Sequence, residues 1–425
     1  NLNMITVGLD FGTHQTKVCV ERKESMELEY SFFEFADTEG NKHYTLPSII
    51  GENADGRLAY GYIDAKKYKD IKRYFKQATF NTGVPESSKL DAMRQSVWYI
   101  AYILFDLEEA FGQDFTIQMG VPTDGSHFIH KKHFAARILA SAYHLVEDVF
   151  QNDKDEFLAT PEKDLIVWTE IPDYSEALKE EYQFLFFPEA YACLMPLVSS
   201  AKIATGMSLM IDIGGGTTDI SFFTIKNNRP QVYDFFSINK GLNYLTNADH
   251  RQEDHRASSN IKTSSEISPR MSQTYVNDVN TVCFRLIQKL KGEFRRQTSL
   301  RVERLMDALK ARPIIYTGGG STFAMLRKSY GGFKDVIHIS DEQWKTEAVD
   351  DMVRIKSYGM CPILSTAYGL SISVPDDDIR CESFQDIFEN IRGAEENHQV
   401  EREYVYGRSI CCSGFDYGTD WDALK

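Results

Sequence analysis

The chain has 425 residues, 42% of them hydrophobic and 12% aromatic, enough for a large buried core and against wholesale disorder. It carries 47 Lys and Arg against 62 Asp and Glu, a net charge of −15, so it repels phosphate backbones and general nucleic-acid binding is not expected. No apolar run reaches the roughly 18 residues that a membrane helix needs, and the first residues lack the basic-then-apolar pattern of a signal peptide. Seven cysteines, an odd number with no CxxC pair, argue against a disulfide framework or a four-cysteine zinc site. A cytoplasmic protein of two to three domains, with no membrane partner, is the expectation.

In chain order, residues 5–9 and 17–21 read as strands around the turn DFGTHQT, and residues 28–50 continue as strand. Helices are expected over 59–80, 88–112 and 127–149, with a strand at 115–121 between the last two. Residues 151–182 are polar and mixed, with a hairpin edge or a short helix among them. SLMIDI at 208–213 is a continuous apolar strand, and its glycine-rich turn leads into a second strand at 220–225 and a third at 231–238. Residues 249–273 are rich in Ser and poor in apolar side chains, a loop signal. A long helix follows over 276–294, then a strand at 313–317, a helix over 322–330 and a last apolar helix over 361–373. From Pro375 onward there are 13 acids and 5 bases, a net of −8 in the last 51 residues. Strand–DFG–strand near the start and strand–DIGGG–strand at 208 echo each other, which suggests a duplicated α/β domain with a cleft between the copies.

An Asp that ends a buried strand and is followed by a glycine reversal has a chemical use. Glycine lets backbone N–H groups approach a phosphate closely, and a carboxylate can hold hydrated Mg²⁺, which prefers oxygen and keeps several waters. Two such hairpins face to face would grip a triphosphate, with Asp10 and Asp212 toward the metal and the Thr13 and Thr217 hydroxyls in matching places. The alternative reading of each Asp is a turn acid capping its own hairpin.

VGLDFGTHQTK resembles the first phosphate motif of the actin and DnaK-type chaperone superfamily, and MIDIGGGTTDIS resembles its second. IIYTGGGSTF resembles the adenosine motif, FPEAYA the first connecting segment and AYGLSIS the second connecting helix. The five fall in the superfamily order over roughly residues 4–373. LPSII, DIKRYFKQ and the strand–VP–helix unit after Gly120 lean toward DnaK-type chaperones. Lys17 and the Pro before Glu189 lean toward plasmid-segregation actins of the ParM kind. The segment between the second phosphate motif and the adenosine motif is short, with about 35 residues from Gly241 to the long helix, so the outer subdomain of the chaperones is reduced. Ile363 stands where chaperones carry an acid near the nucleoside, and no peptide-binding domain is recognised.

The resemblance implies an α/β fold of two duplicated actin-like (ribonuclease H-like) ATPase domains around a nucleotide cleft. The first would cover 1–202 with an insertion at about 39–114. The second would cover 203–373 with its reduced outer part at about 243–274, and 374–425 would be an acidic tail. It implies ATP or ADP with Mg²⁺ as ligands, held by Gly12, Thr13, His14, Lys17, Gly214, Gly215, Gly216 and Thr217 at the phosphates and by Gly318, Gly319, Gly320 and Ser321 at the nucleoside. Asp10 and Asp212 would take Mg²⁺, Glu189 would orient the attacking water, and Lys72 would offset phosphate charge. The expected function is slow ATP hydrolysis by a DnaK-like protein that switches a protein partner, a client or co-chaperone-like protein. The alternative is a ParM- or MreB-like filament former that self-assembles. His127, His130 and His133 are read as surface histidines, because their spacing spreads them around a helix.

Overall fold

In a computed structural model of the chain, residues 4–123, 127–199, 207–226, 228–245, 267–297, 302–339, 344 and 348–378 are described. The first sheet has strands β1 (Met4–Asp10), β2 (Gln15–Glu24), β3 (Glu27–Phe32), β4 (Thr116–Val121) and β5 (Leu185–Pro188), in the order β5-β4-β1-β2-β3, with the short strand Leu46–Pro47 also paired to β2. The second has β6 (Ser208–Ile213), β7 (Thr218–Lys226), β8 (Arg229–Ile238), β9 (Ile314–Thr317) and β10 (Val336–His338), in the order β8-β7-β6-β9-β10. Both share one plan: an antiparallel meander of three strands, then two parallel strands added beside the first. The chain thus has the duplicated α/β plan that the echoed hairpins predicted. The reason is visible in the strands: SLMIDI and MITVGLD are too apolar for one wet face, so each must lie inside a sheet covered on both sides.

Helices α1 (Phe75–Thr79), α2 (Leu90–Phe111) and α3 (Phe128–Tyr143) cover the first half, and α2 buries Val97, Trp98, Tyr99, Ile100, Ile103 and Leu104. Trp98 also donates its indole N–H to Thr169 Oγ1 at 2.7 Å, which satisfies its polar handle inside the core. Helices α4 (Glu189–Ser199), α5 (Leu242–Leu245), α6 (Pro269–Gln297), α7 (Val302–Ala311) and α8 (Cys361–Ser371) follow. Helices α4 and α8 cross between the two sheets at very short range. A Cβ on Gly369 would lie 1.7 Å from the Ala192 carbonyl oxygen, and one on Gly8 of β1 would lie 2.4 Å from the Ser371 nitrogen. Gln118 of β4 locks the end of α8 by donating to the Leu370 and Ile372 carbonyls at 2.6 and 2.8 Å.

The expected helix over 59–80 is absent. Its first part is a strand, Leu58–Tyr60, paired with Ile50–Glu52 across the turn at Gly56 (φ +85°), and Asp70–Lys72 pairs on the other side. Only Phe75–Thr79 is α-helical, begun after Tyr74 at φ +58°, with a single 3₁₀ turn at Ala65–Lys67 before it. Cross-strand pairing outweighs the helical pattern there. The expected helix over 322–330 is also absent, and two short 3₁₀ turns replace it. Their chain is pinned by Arg327, which donates to the Ser321 carbonyl at 2.6 Å. In the mixed region at 151–182 the later part is a helix, Glu176–Tyr182. Most of the serine-rich segment, and the tail beyond Asp378, lie outside the described residues. The start of the acidic tail is anchored. Buried Asp377 meets Lys132 at 3.2 Å and Lys179 at 2.7 Å and accepts from the Phe186 N–H at 3.0 Å, and Asp376 meets Arg229 at 3.1 Å. No described helix is long and apolar enough to cross a membrane.

Candidate functional site

Between the sheets lies a cleft of about 1670 Å³, larger than an ordinary drug-sized pocket. Both glycine hairpins line it, with Asp10, Gly12, Thr13, His14, Gln15 and Lys17 from one and Asp212, Gly214, Gly215, Gly216, Thr217 and Asp219 from the other. The hairpins occupy corresponding places in their sheets, and the strand register makes them comparable residue by residue. Asp10 stands opposite Lys17, and Asp212 stands opposite Asp219.

That single register difference sets the electrostatics. Lys17 Nζ is 2.9 Å from Asp10 Oδ2, so the first hairpin carries its own counter-charge. In the second, burial together with Asp219, Glu189 and Asp10 pushes the Asp212 carboxyl up to about 7, against a slight opposing pull from Lys17. Burial likewise pushes Asp219 up to about 6, although Ser237 Oγ donates to it at 2.6 Å. A Cβ on Gly318 (φ +83°) would sit 2.2 Å from Asp212 Oδ1, so this glycine is required for the carboxylate to have its place. Among the described residues no three metal-ligating side chains close on one point. Asp10 and Asp212 both line the cleft, and carboxylate oxygen is the donor type that a hydrated divalent ion takes.

Glu189 is the first residue of α4, at the end of β5, where Ala190 N–H donates to Thr123 Oγ1 at 3.0 Å. Gly120 leaves room beside it: a Cβ there would be 3.2 Å from Glu189 Cγ. The cation facing Glu189 is Lys76 on α1, which pairs with Glu189 Oε1 and is itself buried. Lys72 is placed elsewhere. It lies outside the cleft lining in an ion cluster with Asp70 at 2.8 Å and with Glu52 and Glu162, both at 3.5 Å. Lys72 sits on the strand Asp70–Lys72, which pairs with Ile50–Glu52, whereas α1 brings Lys76 to the cleft. Neither Lys76 nor Asp219 is among the site residues that the motifs imply. The apolar neighbours of Lys76, Phe75 and Ala78, and the repeated Asp two residues after Thr217 are the signals available for them.

At the other end, Gly318 and Gly319 line the cleft with Leu242, Phe323, Met325 and Ile363. Gly320 and Ser321 do not. Gly320 packs on Ile213, and Ser321 is fully buried, its hydroxyl donating to the Gly318 carbonyl at 2.6 Å. They shape the turn from behind. Of the three histidines, His133 stacks on Tyr174 at 3.7 Å and His130 meets Phe134 edge-on at 4.8 Å, and no described metal cluster includes them.

No family model and no curated protein matches the sequence. Among solved structures, the chain is similar to a non-polymerising MamK mutant bound to AMPPNP, at 16% identity and a TM-score of 0.41, over 87% of this chain and 98% of that one.

Proposed function

We propose that the chain binds ATP with Mg²⁺ in this cleft, hydrolyses it slowly, and uses opening and closing of the cleft as a conformational switch. The observation that carries the reading is the pair of register-matched hairpins, with Asp10 and Asp212 at corresponding strand ends, facing the Lys76–Glu189 pair. When bound, Mg²⁺ neutralises phosphate charge and lowers the repulsion among Asp10, Asp212 and Asp219. The backbone N–H groups around Gly12–Thr13 and Gly214–Thr217 bind phosphate oxygens. Lys76 stabilises charge on the terminal phosphoryl group, and Lys17 offsets charge beside Asp10. Glu189 orients the attacking water and accepts its proton, a role worth about 10²–10⁴ in rate. The apolar wall of Leu242, Phe323 and Ile363 receives the nucleoside.

Phosphate release with and without Mg²⁺ tests this. Glu189→Gln should lower it by about 10²-fold with ATP still bound, and a wild-type rate in that variant rejects the mechanism. The output of the switch is proposed to be a protein partner. Filament formation is the second reading, favoured by Met26, Val167 and Val353, all more than 70% exposed and far apart in sequence, since an open filament needs two different complementary faces. Sedimentation with Mg-ATP, Mg-ADP and no nucleotide separates the two: pelleting with ATP alone identifies the filament.

A further inference from the structure

His14 holds a place that the hydrolysis scheme leaves unused. Its imidazole crosses from the first hairpin and lies against the second: a Cβ on Gly216 would be 2.5 Å from His14 Nε2, and one on Gly215 would be 2.8 Å from its Cδ2. The ring fills space that side chains at 215 and 216 would take. Asn243 of α5 brings its Nδ2 to 3.3 Å from both ring nitrogens, and Tyr74 meets the ring edge-on with centroids 5.5 Å apart. Asn243 is in turn fastened to the second hairpin, its N–H donating to the Gly215 carbonyl at 2.8 Å. Tyr74 is the left-handed residue immediately before α1, two positions ahead of Lys76. His14 thus touches the first hairpin, the second hairpin and the segment that carries Lys76, the three parts that a terminal phosphoryl group would contact. Burial and the nearby Arg73 and Lys17 push its pKa down to about 4, so the bridging ring is neutral.

We propose that His14 is a terminal-phosphate sensor: it bridges the two hairpins, and the terminal phosphoryl group of a nucleoside triphosphate displaces it from Gly215, Gly216 and Asn243, whereas a diphosphate is one group too short to do so. The inference rests on the nucleotide reading above. Displacement makes triphosphate entry work against the bridge, so apparent affinity falls by the fraction of protein with the bridge open.

The test is stopped-flow binding of fluorescent ATP and ADP analogues to the full chain, wild type, His14→Thr and Asn243→Ala. Losing one bridging contact should raise ATP affinity about three- to tenfold, chiefly through the association rate, while ADP affinity stays within about twofold. Asn243→Ala opens the same bridge from the other hairpin, so a folding defect in His14→Thr does not shield the proposal. Equal shifts for ATP and ADP, unchanged binding of both, or weaker ATP binding in Asn243→Ala would overturn it. Wild-type protein that binds neither nucleotide would instead sink the ATP reading and this inference with it.

Discussion

The two glycine hairpins are copies in topology and opposites in charge. Each joins an antiparallel strand pair beside a parallel strand, and each places an Asp at the end of its first strand. Across from that Asp the first hairpin has Lys17 and the second has Asp219. Opposite charges paired across a strand stabilise, and like charges directly opposed destabilise. The first hairpin is therefore balanced by itself. The second sets two carboxylates against each other, a repulsion that a proton or a cation would relieve.

The largest effect expected from breaking this contrast is on rate. Lys76→Ala should cut phosphate release by about 10²-fold or more, by removing a charge aimed at the reacting group, while Lys72→Ala should stay within about twofold, as befits an ion cluster outside the cleft. Equal losses in both would return the role to Lys72. Next in size is the pivot between the halves. Gly369→Val pushes a side chain into the Ala192 carbonyl and should cost about 1–3 kcal/mol or more in denaturant unfolding. A smaller effect distinguishes the hairpins without nucleotide or metal. Asp212→Asn removes repulsion and should raise the melting temperature, whereas Asp10→Asn leaves Lys17 without its partner and should lower it. The same sign for both variants would refute the asymmetry.

The smallest effect is the pH dependence behind that difference. The Asp212 and Asp219 carboxyls are raised to about 7 and about 6 in the folded state, above the ordinary Asp value near 4. Between pH ~4 and 7 the folded protein therefore holds protons that the unfolded chain has released. Their contribution to stability is complete below pH ~4 and is lost as pH rises through 7. Metal-free wild type should lose melting temperature relative to Asp212→Asn across this window, and Mg-ATP should flatten the slope. Parallel curves for the two proteins would show that the second hairpin stores no such repulsion.

How much was legible in the sequence differed from segment to segment. Each hairpin could be read because its signal is local: an apolar strand, an Asp, a glycine reversal and another strand all fall within about a dozen residues. Helix α2 was legible for the same reason, being long and apolar on most faces. The segment 59–80 was not. Its partner strand, Ile50–Glu52, lies outside the window in which a helical pattern is judged, and pairing with that strand chose the conformation. The choice between Lys72 and Lys76 went with it, since four residues on a continuous helix would have left both on one face. Ser321 looked like a ligand by motif, but the backbone of its turn folds the hydroxyl back onto Gly318.

The sequence by itself determined the repeated strand–glycine–strand units and thus the duplicated α/β fold, because hydrogen-bonded hairpins and apolar strands are decided by near neighbours. Only the tertiary structure decided which charges meet. Lys76 with Glu189 are 113 residues apart, and His14 with Asn243 are 229 apart. Such pairs are chosen by the packing of α4 against α8 and of one sheet beside the other, where close contact, not sequence distance, sets the energy.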